Sequence, residues 1–222
     1  MKLRKFIKKY SHAWVFLYAL IYLPWFSYLE QHVTSDYYLI HSPFDDYIPF
    51  VEYFIVPYLM WFLFVIIGAG YFFFTDKNGF YKLAAFLITG MTIFLIICTL
   101  FPNGLHLRPT TFARDNIFTH IVQYVYSVDT PTNVLPSIHV FNSMGIAIAV
   151  AHSDKLNEKK WIQHLTYILA GLIILSTMFL KQHSVTDVFA ALVMAGVIYP
   201  FVYAPERKKA LKVSHQPAHS RI

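Results

Sequence analysis

Apolar residues fall along this chain in long blocks separated by short polar interruptions. Blocks near twenty residues with almost no charge are long enough to cross a bilayer as helices. Six such spans are predicted, at about Ala13 to Tyr28, Val51 to Phe74, Leu83 to Phe101, Pro136 to Ala151, Ile162 to Leu180 and Asp187 to Ala204. Between the first two, residues 30–50 carry Glu30, Asp36, Asp45 and Asp46 but no Lys or Arg, with aromatic residues that suit a headgroup region. Between the third and fourth lies Pro102 to Asn133, whose middle, near Phe112 to Val128, predicts an amphipathic helix on the surface. Asp154 to Lys160 reads as a charged turn. The fold class is therefore all-α, an integral membrane bundle of six transmembrane helices forming a single membrane domain over residues 1–222.

The first block follows Lys2, Arg4, Lys5, Lys8 and Lys9, an order shared with signal peptides. It ends on Trp25, Phe26, Tyr28 and Leu29 rather than on a small-x-small cleavage site, so it reads as an uncleaved first span.

Composition agrees with the pattern. The 222 residues are 57% hydrophobic and only 14% charged, too little charge for a soluble domain of this size. The single cysteine, Cys98, lies in an apolar block and reads as a small packed hydrophobe. A net charge of +6 raises the question of nucleic acid, and the distribution answers it. Fifteen of the eighteen Lys and Arg residues flank the spans on one side: the N-terminus, the turns after the second and fourth spans, and a basic tail over residues 205–222. The positive-inside rule makes that side cytoplasmic, which puts both termini there in a multi-pass protein of the cell membrane and leaves no nucleic-acid role. The extracytoplasmic face keeps Arg108, Arg114 and Lys181.

Candidate chemistry gathers on that same face. His183 and Asp187 are four residues apart at the start of the sixth span, where one helical turn brings their side chains together. A carboxylate on one imidazole nitrogen fixes the tautomer and frees the other as base or nucleophile. The same H-x-x-x-D spacing recurs as His32/Asp36 and His41/Asp45, so spacing alone does not single out one pair. His139 follows Pro136-Ser137-Ile138 at the start of the fourth span, where Thr132 or Asn133 is placed to cap the helix. Helix N-termini favour phosphate. Residues His139, Ser143, Ala147 and Ala151 on the fourth span, and Asp187, Ala191 and Ala195 on the sixth, form stripes that would let these two helices pack and bring the histidines together. There is no carboxylate or cysteine cluster for a metal, no nucleophile elbow and no nucleotide-binding glycine loop, so neither metal nor cofactor is expected. Phosphoryl transfer fits best: one imidazole attacks phosphorus, the other protonates the leaving oxygen, and cations with backbone N–H groups hold the phosphate.

Arg108-Pro109, Pro136-Ser137-Ile138-His139 and His183-x-x-x-Asp187, in that order, resemble the three signature blocks of the type 2 phosphatidic acid phosphatase superfamily, here at residues 108–109, 136–139 and 176–187. The resemblance implies that His183 is the nucleophile, Asp187 its orienting partner and His139 the general acid. It implies phosphate binding by Arg108, Ser137 and Lys181, without a metal. Three departures stand out: Phe101 where the family has a lysine, Ile138 where it has glycine, and Ser176-Thr177 where it has Ser-Arg. Lys181, four residues after Thr177, is the candidate to replace the lost arginine, and Arg114 or His106 the lost lysine. The pattern is nearer the branch that includes inositol phosphosphingolipid synthases.

The expected function is hydrolysis of a lipid phosphate or diphosphate through a phosphohistidine. The alternative is transfer of a phosphoryl-containing head group to an alcohol by the same mechanism. A non-enzymatic membrane protein or transporter ranks lower, because no charges line the span centres. The expected partners are the lipid substrate and the membrane; the lipid's identity and the oligomeric state are open.

Overall fold

The computed structural model describes residues 8–203, so the tail at 205–222 and the basic residues before position 8 lie outside it. A 3₁₀ segment, Ser11–Tyr18, leads into α1 (Ala19–His32). The remaining helices are α2 (Ile55–Thr75), α3 (Lys77–Leu100), α4 (Ile117–Val128), α5 (Ile138–Ala151), α6 (Asp154–Asn157), α7 (Lys160–Phe179) and α8 (Val185–Val202). Among the described residues the protein is all-α apart from one small strand pair that the apolar pattern does not predict. Tyr38–Leu39 (β1) pairs in parallel with Asn103–Gly104 (β2).

Among the described residues, five segments are long and apolar enough to cross a membrane: Ser11–His32, Glu52–Thr75, Lys77–Leu100, Lys160–Phe179 and Val185–Val202. The fourth expected span is shorter. At 14 residues α5 is about 21 Å long, against roughly 30 Å for a hydrocarbon core. Its surroundings explain this. It is packed against α2, α3, α7 and α8, with Val140, Phe141 and Ile146 almost completely buried. Its neighbours meet the lipid in its place. Around it, large apolar side chains point outward, among them Phe62 and Ile66 on α2, Ile168 on α7, and Phe189 and Val197 on α8. Exposed apolar surface on this scale is that of a membrane protein.

Close approach of α5 to α3 depends on Gly90. A Cβ there would lie 2.1 Å from the Phe141 ring. The stripe on α5 does not do what its spacing led us to expect. Ala147 packs in the cluster that contains Ala170 and Ile173 of α7. It is Val140 and Phe141 that share a cluster with Val188, Ala191 and Ala195 of α8. Ala147 and Ala151 therefore border Ala170 and Gly171 of α7, whereas the α8 alanines share their cluster with large α5 side chains.

The amphipathic helix is shorter than predicted. Residues 112–115 are not helical, and Asn116 caps α4 by accepting from the Phe118 and Thr119 N–H groups. The turn at 154–160 contains the single-turn α6. Polar contacts hold one end of the bundle together: Lys77 Nζ donates to Ser11 Oγ at 3.3 Å, and Lys155 donates to the Thr75 carbonyl. At the opposite end, the loops after α1, α3 and α4 meet. The Asn103 carboxamide, fully buried, accepts from the Val134 and Leu135 N–H groups at 2.9 and 2.8 Å and anchors the approach to α5.

Candidate active site

The N-termini of α5 and α8 meet at this loop-covered end. The cap of α5 is Ser137, not Thr132 or Asn133 as expected: its Oγ accepts from Val140 N–H at 3.4 Å. Asn133 instead adopts a left-handed backbone (φ 55°) and donates its side-chain amide to Glu30. Ser137 is completely buried, and its own N–H donates to the Asp187 carbonyl at 3.2 Å, which joins the two helix starts.

α8 begins with a capping box. Ser184 Oγ accepts from Thr186 N–H, and Asp187 Oδ2 accepts from Ser184 N–H at 2.9 Å. The same Oδ2 lies 3.3 Å from Nδ1 of His183. An ionised carboxylate only accepts, so this contact keeps the proton on Nδ1 and leaves the Nε2 lone pair for chemistry. Asp187 is fully buried and His183 is 7% exposed. The two pairs with the same spacing do not form. His32 Nδ1 donates to the Tyr28 carbonyl, and His41 contacts Asp46 rather than Asp45.

His139 approaches from α5, with its ring centroid 5.7 Å from that of His183. It rests on Tyr58 and Trp61 of α2, at 4.9 and 4.4 Å between ring centroids. Its Nδ1 is buried without a hydrogen-bond partner. Both histidines line a small pocket, with a cavity volume of about 40 Å³, lined also by Glu30, Asn133, Phe94 and Gln182. Two helix N-termini direct their positive ends into this region.

The cations expected to bind phosphate are placed differently from the histidines. Among the described residues, no lysine or arginine lines this pocket. Arg108 lies behind its wall. Its guanidinium donates to the carbonyls of Tyr126, Asp129 and Thr130 and, at 2.5 Å, to Oε1 of Gln182, while its face lies over the Tyr126 ring. Burial pulls its pKa down, against the upward effect of Asp129. Lys181, with φ 54°, donates to the Asp45 carbonyl at 2.7 Å, and burial also lowers its pKa. Arg114 is exposed and paired with Glu52 at 3.0 Å, and His106 is bonded to the Tyr37 hydroxyl. Where the family has its lysine, Phe101 stacks on Tyr38; where it has its arginine, Thr177 is fully buried and donates its hydroxyl to the Ile174 carbonyl.

Three further residues have a part in this region that their positions along the chain do not assign them. Asp45, only 2% exposed, reaches across from the first loop to accept from Ser184 Oγ at 2.6 Å and Val185 N–H at 2.8 Å. Glu30 accepts from Thr130 Oγ1 and Asn133 Nδ2 at the end of α1. Gln182 sits next to His183 in the pocket wall. Asp45 carried a signal, since Ser42-Pro43 followed by Asp45 has the form of a helix cap, but its partners lie far along the chain and no local pattern points to them.

The family model of the PAP2 superfamily matches residues 83–209, more than half of the chain and all three signature blocks. The chain belongs to the PAP2 superfamily. With its apolar helices, membership suggests a membrane protein of the phosphatase type. No curated protein and no solved structure matches the chain.

Proposed function

We propose that this protein is a six-pass membrane enzyme that hydrolyses a lipid phosphate or diphosphate through a covalent phosphohistidine on His183. The observation that carries the reading is the convergence of His139 from α5 with the buried His183–Asp187 pair of α8 on one pocket. The His183 Nε2 lone pair attacks phosphorus and forms the P–N bond. The P–O bond to the lipid breaks, its electron pair goes to the lipid oxygen, and His139, protonated, supplies the proton to that oxygen. Water then attacks phosphorus and gives its proton to His139, and the P–N pair returns to His183. Asp187 holds the imidazole orientation and stabilises the positive charge that His183 carries in the adduct.

The site opens on the extracytoplasmic side in this reading, with both termini cytoplasmic. Support comes from the distribution of charge: Lys8, Lys9, Lys77, Lys82, Lys155, Lys159 and Lys160 belong to the N-terminal segment, the starts of α3 and α7 and the turn before α7, at the end away from the histidines.

A second reading keeps the adduct and delivers the phosphoryl-bearing group to an alcohol. Phe101 and Thr177, where the family has cations, favour it, because fewer charges are available to hold a dianionic phosphate. The test is to incubate the purified protein in detergent with a panel of labelled lipid phosphates, quench in alkali and look for acid-labile label on histidine. Label present in the wild type and absent in His183→Ala is the expected result. Release of product without any trace of adduct, at an undiminished rate in His183→Ala, would refute the mechanism. Products compared with and without an added alcohol separate hydrolysis from transfer.

A further inference from the structure

Gln182 is 3% exposed, and its Nε2 is buried without a partner, in the wall of the pocket that holds both histidines. The orientation of its amide is determined by chemistry. Arg108 can only donate, so the atom 2.5 Å from its Nη2 has to be the amide oxygen. Nε2 therefore points away from Arg108 as an unused donor. A buried donor left without an acceptor is unfavourable by about 1–3 kcal/mol and is retained where a ligand completes it. The other amide in the wall is turned the opposite way. Asn133 donates Nδ2 to Glu30 at 2.8 Å and leaves Oδ1, an acceptor, unpartnered; that atom would repel a phosphoryl oxygen.

We infer that Gln182 Nε2 donates to a non-bridging oxygen of the phosphoryl group transferred to His183, with Arg108 as the positioning residue that aims it. The inference rests on the reading of His183 as nucleophile. It accounts for a phosphate site without Lys or Arg in its lining: a neutral amide, adjacent in sequence to the nucleophile, takes over a donor's task. It also gives Arg108 a part in phosphate binding that its bonds to three carbonyls leave open only through Gln182.

Two substitutions test it. Gln182→Glu keeps an oxygen for Arg108 and the shape of the side chain but loses the donor; Gln182→Met loses the donor without adding charge. Adduct formation on His183 is expected to slow about 10²–10³-fold in both, the usual effect of removing one such donor, with kcat falling more than KM rises. Gln182→Glu with wild-type activity overturns the inference, since it keeps an acceptor for Arg108 and lacks the donor; its second oxygen also repels phosphate, so Gln182→Met, which adds no charge, isolates the loss of the donor. Gln182→Met with turnover within about 3-fold of wild type, well inside the loss one donor implies, overturns the inference too. Arg108→Lys should lower kcat, and combining it with Gln182→Met should add little further loss, the non-additivity of residues acting through one contact. Full additivity would separate Arg108 from Gln182. A wild-type protein that forms no adduct with any lipid phosphate refutes the proposed function itself and this inference with it. A normal wild-type adduct beside active Gln182 variants refutes the inference alone.

Discussion

Removing the Asp45 carboxylate should loosen the start of α8 and disable the site, although Asp45 touches neither histidine. Its Oδ2 accepts from Ser184 Oγ at 2.6 Å and from Ser42 N–H at 2.8 Å, and its Oδ1 accepts from Val185 N–H at 2.8 Å. Hydrogen bonds to a charged group contribute about 1.5–3 kcal/mol each. The Ser42 end lies in a loop where water can replace the lost bond, so two bonds count, and Asp45→Ala should destabilise by about 3–6 kcal/mol. At roughly 2–4 °C per kcal/mol for a chain of this size, Tm in detergent should fall by about 10 °C. Asp45→Asn keeps an acceptor for Val185 N–H and should lose about 1–2 kcal/mol. Activity should suffer more than stability, because Ser184 adjoins His183 and a shift near 1 Å costs about 100-fold. Ser184→Ala removes the hydroxyl partner together with the cap on Thr186 N–H. Asp45→Ala and Ser184→Ala should therefore be coupled by about 1–3 kcal/mol in a double-mutant cycle. Strict additivity, with turnover intact in Asp45→Ala, would refute the reasoning.

His139→Ala should slow turnover of a lipid alkoxide ester by about 10²–10⁴-fold and that of an aryl phosphate far less, because phenolate leaves without a proton; equal losses on the two substrates would remove His139 from the role of general acid. Gly90→Ala sets a Cβ 2.1 Å from the Phe141 ring and should lower stability by about 1–3 kcal/mol, whereas Gly171→Ala, with nothing within 4 Å, should be neutral or stabilising; thermal melts of the two variants decide. For topology, Ser184 is fully buried and unsuitable for labelling, but Tyr47 is 84% exposed at the histidine end and Glu158 is exposed at the other. In sealed cells an impermeant thiol reagent should label Tyr47→Cys and spare Glu158→Cys until permeabilisation, and the reverse would invert the proposed orientation.

Much of this protein is legible along the chain because the solvent sets the pattern. Apolar blocks must be helical in lipid, since no water there satisfies the backbone, and five of the six predicted spans appear at full length among the described residues, the third starting at Lys77, six residues before its expected start at Leu83. The His183–Asp187 contact was also accessible, because one helical turn brings side chains at i and i+4 together wherever the helix goes. The choice among three identical spacings was not. His32 is the last residue of α1, so Asp36 falls beyond the helix, and after His41 the 3₁₀ turn Pro43–Asp46 gives the Asp45 carboxylate to Ser42, Ser184 and Val185 instead.

What tertiary structure alone decided is which groups meet across elements. Ala147 and Ala151 of the α5 stripe border α7, and Phe141, seated over Gly90, shares a cluster with the alanines of α8, since large side chains dictate how the helices interlock. Asp45 and Gln182 take their meaning from partners more than seventy residues away, Ser184 and Arg108. The cations Arg108, Lys181 and Arg114 were visible as residues, but their acceptors were not: carbonyls and carboxylates exposed by loops that cross the end of the bundle claim them first. Spacing constrains neighbours on one helix, whereas buried polar groups must pair with whatever the packed chain brings within reach, and that is known only once the helices and loops are in place.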